Sequence, residues 1–304
     1  MSRSDRGVFR AAKHYKRIDY LRKKSVIIPA MFVIEKNQQL SQSVYRLTVE
    51  APEIARKHQA GQFIILRIDE QGERIPLTVA DKNIFAGTID LIVQAVGKTT
   101  QQLVKMSAGE EIKDIAGPLG VPTHIEKLGT VVVIGGGVGI APLYPITDSF
   151  HNAGNKIISI LGARSKDLII LQKEFAKIST ELIVTTDDGS AGVKGLVTTA
   201  LQELIDKKTD IKKVIAIGPL IMMKFVAQLT KRYNIPTDVS LNSLMIDGTG
   251  MCGGCRVNVG GQTKFTCVHG PEFDGHQVDF DTLLRRANTY KHEEQCRLDK
   301  YIKG

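Results

Sequence analysis

TVVVIGGGVGIAPLYPI, residues 130–146, decides how the middle of this chain folds. An apolar, β-branched run is followed by a glycine loop, and then by a helical pattern with Pro142 in its first turn, where proline is tolerated. This is the strand–turn–helix context that a dinucleotide phosphate needs, although the spacing is not G-x-G-x-x-G. Strand patterns recur at IISILGA (157–163), ELIVTTDD (181–188) and KVIAIGPL (213–220). Helical patterns lie between and after them at LIILQKEFAKI, LVTTALQEL and MMKFVAQLTKRY. Such alternation implies a parallel sheet with right-handed crossovers, whose ligands bind beyond the carboxyl ends of the strands. Those ends carry Gly135–Gly139, Gly162–Arg164, Asp187–Gly189 and Gly218–Pro219. A bound dinucleotide explains glycine at every end better than a set of empty turns does.

Toward the N-terminus the pattern changes. MFVIEKNQQL, VYRLTVEAP, GQFIILRID, RIPLTVAD, TIDLIVQAV and EIKDIAGPLG are short and separated by Gly, Asn, Asp or Pro. This spacing predicts a small antiparallel barrel over 31–125. Within it, 98–109 (KTTQQLVKMSAG) is the one segment that reads as a helix. The helix start VGKTTQ (96–101) sets a glycine, two threonine hydroxyls and free backbone N–H groups around one point, where an anion can bind. A plain helix cap with no ligand fits the same residues.

Toward the C-terminus, DGTGMCGGCRVNVGGQTKFTC (247–267) holds three of the four cysteines: Cys252, Cys255 and Cys267. Glycines let this loop fold tightly. Its frame is D-x4-C-x2-C-x11-C, against C-x4-C-x2-C…C in plant-type [2Fe–2S] proteins, with Asp247 at the place of the first cysteine. A carboxylate is a harder donor than thiolate, yet it can ligate iron. Zinc held by the three cysteines and His269, a fourth thiolate from Cys296, a Cys252–Cys255 disulfide, or Asp247 as a capping carboxylate remain alternatives. Spacing favours a metal or cluster, and the glycine lining favours a cluster over a single ion.

Length and charge narrow the classes. The 304 residues suit two or three domains, and no apolar run reaches a membrane span. Of the net charge of +9, +7 lies in residues 1–30, which removes the case for a nucleic-acid-binding body. That basic stretch has no secretory core. It is expected to be an unstructured extension, or to follow from an upstream start codon with Met31 as the natural beginning, or else to be an organelle-targeting or surface-binding segment. Few, clustered cysteines fit a reducing, cytoplasmic setting. Asp187–Asp188 and His276 read as turn or surface residues rather than as catalysts, and no acid–base or nucleophilic constellation stands out.

Taken together, the barrel, the Gly-Lys-Thr-Thr helix start, GGGVGIAP and IGPLIMM resemble the ferredoxin–NADP reductase superfamily. GQFIILRIDEQGERIPLTVAD, GARSKDL, TDDGSAGVKGLVT, SLNSLMIDGTGMCGGCRVNVGG and GPEFDGHQVDF narrow the resemblance. They look like the small subunits of NADH-dependent reduced ferredoxin:NADP oxidoreductase, also described as sulfide dehydrogenase subunits, with the dihydroorotate dehydrogenase electron-transfer subunit as a cousin. The resemblance covers about 31–295. It implies an antiparallel FAD-binding β-barrel (31–125), a parallel-sheet α/β domain for NAD(H), or NADP(H) (126–232), and a small [2Fe–2S] module with a C-terminal helix (233–304).

The resemblance also implies residue roles. The superfamily's R-x-Y-S/T reads R-I-P-L-T here, so the tyrosine is missing and Arg74 sits one place early. Pro76, Leu77 and Thr78 should line the flavin edge. Gly97, Thr99 and Thr100 should meet the pyrophosphate. Gly135, Gly136, Gly137 and Gly139, with Gly218, Pro219 and Met222, should hold the nicotinamide dinucleotide. Arg164 and Asp187 stand at strand ends on the same side, Arg164 where NADP enzymes often place a 2′-phosphate ligand. Asp247, Cys252, Cys255 and Cys267 should ligate the cluster. The implied activity is electron transfer from NADH through FAD and the cluster to a larger flavin/iron–sulfur subunit in a heterodimer, with ferredoxin reached indirectly. A dihydroorotate dehydrogenase subunit and a non-redox zinc module are the other readings.

Overall fold

The computed structural model describes residues 32–303, so the basic N-terminal stretch and Met31 lie outside it. The first sheet has seven antiparallel strands: β1 (Phe32–Gln39), β2 (Val44–Glu50), β3 (Phe63–Arg67), β4 (Ile75–Asn83), β5 (Thr88–Gln94), β6 (Glu111–Ile112) and β7 (Asp114–Leu119). Its order is β6-β1-β2-β5-β4-β3-β7. The two edge strands are consecutive in sequence, separated by Lys113 alone. The sheet must therefore curl until its edges nearly meet, which is the expected barrel. Ile34, Leu47, Ile64, Leu66, Leu91 and Ile112 fill it.

Two helices accompany the barrel rather than one. α1 (Pro52–Lys57) was not expected; it starts on proline and spans six residues, too few to show a helical period. α2 (Lys98–Leu103) stops well short of 109, because the chain leaves the helix at Val104 and turns back through Gly109 at φ +93°.

The second sheet contains β8 (Thr130–Gly136), β9 (Lys156–Ala163), β10 (Glu181–Thr186), β11 (Val193–Lys194), β12 (Ile211–Ile217), β13 (Thr237–Ser240) and β16 (Glu272–Asp274). The order is β11-β10-β9-β8-β12-β13-β16, parallel except for β16. Helices α3 (Ile140–Asn152) and α4 (Gln172–Ile178) cover one face, packing on Val131 and Val133. Helices α5 (Val197–Asp206) and α6 (Leu220–Arg232) cover the other, packing on Val132 and Ile134. Because both faces are covered, the central strand reads as an unbroken apolar run. Strands β13 and β16 lie beyond residue 232 yet belong to this sheet, so the sheet is not confined to 126–232. The four residues of β13, TDVS, are too short and polar to announce themselves.

The hairpin β14 (Arg256–Val259) and β15 (Gln262–Phe265) leads to α7 (Thr266–His269). After β16 come α8 (Phe280–Ala287) and α9 (Lys291–Lys303). No helix among the described residues is long and apolar enough to cross a membrane.

Glu272 of β16 ties the modules together. Its Oε1 accepts a hydrogen bond from Thr123 Oγ1 at 2.8 Å, in the segment that leaves the barrel. Burial, helped by the Asp238 carboxylate, pushes its pKa up to about 7, against the opposing pull of the Thr123 hydrogen bond and Lys213. Lys213 itself pairs with Asp238 at 2.5 Å. An acid raised in the fold costs stability as pH climbs from its ordinary value through 7, because the unfolded chain ionises first. Glu272→Gln should remove that slope. Denaturant titrations should find the variant on the order of 3 kcal/mol better placed relative to wild type at pH 8 than at pH 4. A difference that is constant with pH would contradict this assignment.

Candidate functional site

A cleft of about 1540 Å³ runs between the barrel and the carboxyl ends of the parallel strands. The barrel contributes Pro76, Leu77 and Thr78 of β4 and Thr100 of α2. From the sheet come Gly136 at the end of β8 with Gly137 and Gly139 after it, Arg164 after β9, Asp187 after β10, and Gly218, Pro219 and Met222 after β12. Twelve of the sixteen residues expected to bind cofactors therefore share one cavity.

The other four lie outside its lining. A side chain on Gly135 would meet Ile140 Cα at 3.1 Å, so this glycine serves strand–helix packing. Gly97 is the N-cap of α2. Thr99 is buried, and its hydroxyl donates to Glu73 Oε2 at 2.9 Å. Arg74 is exposed outside the lining. Thr100 does the work of a cap while it lines the cleft: its Oγ1 accepts from Gly97 N at 2.9 Å and from Val96 N at 3.1 Å. The capping reading of the helix start is thus seen at this residue, which also faces the cleft.

Glycine is required at the sheet side for two separate reasons. Gly139 has ordinary helical angles, but a Cβ there would lie 2.5 Å from Ile217 O and 2.7 Å from Gly218 Cα. The loops after β8 and β12 touch backbone to backbone. Gly136 and Gly218 make the bed for Met222, whose Sδ lies 2.4 Å from a Cβ built on Gly136. Ser240 and Asn242 also line the cleft, at the carboxyl end of β13. The sequence does not announce them because the short strand TDVS does not announce itself, although residues at a strand's carboxyl end are where such ligands bind. Asp188 is a turn residue, its Oδ1 accepting from Ser190 N at 2.9 Å, and His276 Nε2 bonds Thr230 Oγ1 at 2.9 Å; both match the structural roles expected.

The cysteine loop lies against the barrel. Cys255 and Cys267 are buried in contact with Met245 and with Phe63 and Ile65 of β3. Hairpin register brings these cysteines together, since Arg256 pairs with Phe265, and their sulfurs are 3.2 Å apart. Burial and the Cys255 sulfur push the Cys267 thiol up to about 12. Gly248, Gly250 and Gly253 all take positive φ, which glycine adopts without steric cost. Cys252 is exposed at the rim. Asp247 accepts from Thr249 N at 2.9 Å and from Cys252 N at 2.7 Å, hydrogen bonds that hold its carboxyl below the usual range.

Among the described residues no three His, Cys, Asp or Glu side chains gather around one ion position. A [2Fe–2S] cluster asks for less at each iron, because it divides its four protein ligands between two metals. A close sulfur pair, an acid and a thiol on one glycine loop, and N–H groups aimed at sulfur (Cys267 N to Cys255 Sγ, 3.5 Å) suit that division. His269 Nδ1 accepts from Phe265 N at 3.0 Å, and Cys296 sits exposed on α9 beside His292, apart from the loop.

Three family matches tile the same three regions. They are an oxidoreductase FAD-binding domain at 31–124, an oxidoreductase NAD-binding domain at 133–228, and the iron–sulfur cluster binding domain of dihydroorotate dehydrogenase B at 242–279. A dihydroorotate dehydrogenase B (NAD(+)) electron transfer subunit homolog of Thermotoga maritima is 47% identical over 275 residues, spanning 90% of this chain and 96% of that one. The chain belongs to the dihydroorotate dehydrogenase B electron-transfer subunit family. A probable electron transfer subunit of the same family from Methanocaldococcus jannaschii is 35% identical over 235 residues, 77% of this chain and 84% of its own. A solved chain from the NADH-dependent reduced ferredoxin–NADP oxidoreductase, studied for flavin-based electron bifurcation, superposes with a TM-score of 0.85 at 45% identity, covering 91% of this chain and all of that one. This member of the family is thus an oxidoreductase chain with FAD-, NAD- and cluster-binding domains.

The backbone contact at Gly139 generates a comparison. Gly139→Ala should cost about 3 kcal/mol, the upper end of what overpacking costs, because the atoms a Cβ would meet are backbone. Gly137 stands at φ +56° in open space, so Gly137→Ala should cost only about 1–2 kcal/mol. Chemical denaturation of both variants reads the difference, and equal costs would contradict the packing described.

Proposed function

We propose that this chain takes reducing equivalents from NADH at the cleft and passes them as single electrons, through a cluster in the 247–267 loop, to a larger flavin/iron–sulfur oxidoreductase subunit. A complex of the NADH-dependent ferredoxin:NADP oxidoreductase kind is the preferred setting, in the cytoplasm. The dihydroorotate dehydrogenase complex is the second setting, and Asp247 in place of a first cysteine favours the former.

The observation that carries this reading is the register of β3 with β4. Phe63 pairs with Thr78, and Ile65 with Pro76. Directly opposed residues of antiparallel strands share a face. Phe63 and Ile65 pack the cysteine pair, while Thr78 and Pro76 line the cleft. One inter-strand step, about 4.8 Å, separates the residues beside the cleft from those beside the cluster loop.

Bound FAD supplies the exchange between a hydride donor and one-electron carriers. Pro76, Leu77 and Thr78 would line its ring edge, with Thr100 and the start of α2 toward its phosphates. Gly136–Gly139 and Gly218–Met222 would hold the nicotinamide dinucleotide, and Arg164 and Asp187 its adenosine end. Cys255 and Cys267 would serve one iron, Asp247 and Cys252 the other. Leu244, Ile246, Met251 and Val268 expose apolar surface along this loop, with Met251 at 89%. A partner subunit docking there would exclude water from the exposed Cys252.

The chain purified anaerobically should contain FAD, iron and acid-labile sulfide in the ratio of a [2Fe–2S] flavoprotein, and should oxidise NADH in preference to NADPH. Asp247→Cys should keep the cluster with an altered spectrum, since thiolate is the softer donor, and Cys296→Ser should change nothing. Zinc in place of iron, or loss of the cluster in Cys296→Ser, would contradict the ligand set. A preference for NADPH that is lost in Arg164→Ala would reverse the nucleotide assignment.

A further inference from the structure

The last helix, α9, lies past the segments that match the three domain families, and none of its residues is buried. A helix with so little to bury gains little from packing, so its place is set by the polar contacts it makes. Arg297 pairs with the carboxylate of Glu73 through Oε1. The other oxygen of Glu73, Oε2, accepts the hydroxyl of buried Thr99 at 2.9 Å. One turn further along the same face, Tyr301 Oη accepts from Lys105 Nζ at 3.2 Å, with the ammonium 4.8 Å from the ring centroid. Glu73 stands two residues before β4, whose Pro76–Thr78 line the cleft, and Thr99 is the second residue of α2, whose Thr100 lines it too. The final helix thus holds, through one carboxylate, two of the barrel elements that face the cleft; β5, through Ile92, Val93 and Gln94, is another.

We infer that α9 is a latch on the flavin site. Arg297 and Tyr301 act as positioning residues that hold Glu73, β4 and α2 in the arrangement that retains FAD. This inference rests on the reading of the cleft's barrel side as the FAD site. Two features make it specific. Glu73 is shared between the latch and Thr99, so releasing Arg297 leaves that carboxylate with one anchor instead of two. The Arg297–Glu73 pair is also accessible, at 65% and 40% exposure, so salt should loosen it. An exposed pair of this kind alters equilibria by roughly two- to five-fold.

The test is the rate of FAD release from the full-length protein, followed by the rise in flavin fluorescence after dilution, at low and high sodium chloride. Arg297→Gln should release FAD about two- to five-fold faster than wild type at low salt. Salt should accelerate wild-type release toward the variant's rate and leave the variant unchanged. Arg297→Lys should stay near wild type, and melting of the flavin-free protein should be the same for all three. Equal release by wild type and Arg297→Gln at every salt concentration would overturn the latch while leaving the flavin site standing. Faster release matched by lower melting of the flavin-free variant would also overturn it, in favour of a general structural role. A full-length chain that binds no FAD at all would remove the flavin reading and the latch with it.

Discussion

The pairing of β3 with β4 is the constraint on which the arrangement depends. Strand β3 is used on both sides. Ile64 and Leu66 point into the barrel, while Phe63 and Ile65 point out against Met245, Cys255 and Cys267. Because side chains alternate with a period of two, a slip of one residue would exchange these sets and expel the cysteine loop from the barrel wall. The same pairing fixes Pro76 and Thr78 beside the cleft. Packing of the barrel core therefore sets the distance between two chemical sites that share no ligand.

At the ends of β8 and β12, the cleft is shaped by backbone rather than by side chains. Gly139 lets the loop after β8 touch the loop after β12, and Gly136 and Gly218 leave room for Met222 between them. A surface made this way offers N–H groups and a single thioether, with few side chains to displace, which suits a flat ring and a diphosphate. Glu272 adds a second tie, joining the barrel's exit segment to the sheet edge next to the cysteine module through Thr123. Arg297 reaches back from the last helix to Glu73 as a third.

Much of this was legible in the sequence wherever burial imposes a period. The run 131–134 reads as a central parallel strand because both its faces are covered, and the glycine-bearing strand ends announced the cleft. The D-x4-C-x2-C-x11-C frame located the cysteine loop, since positive φ at three positions leaves few residues other than glycine. Short or polar elements did not show. α1 spans fewer than two turns, and the role of TDVS as β13 is settled by its neighbours β12 and β16 rather than by its own residues. The hydroxyl of Thr99 donates to Glu73, a contact between residues 26 apart in sequence that no local pattern announces. The hydrogen bonds of Asp247 to its own loop were foreseeable as a capping pattern, and they hold its carboxylate on the loop that leads to Cys252.

The central claim is that the cleft and the cysteine loop are two stations of one electron path. Anaerobic addition of NADH to the loaded protein, followed by visible absorbance and low-temperature electron paramagnetic resonance, tests it directly. The account predicts bleaching of the flavin band together with a reduced [2Fe–2S] signal, and in Cys267→Ser bleaching without that signal. A cluster signal that arises without flavin bleaching, or an intact cluster that stays oxidised beside a fully bleached flavin at any excess of NADH, would contradict it.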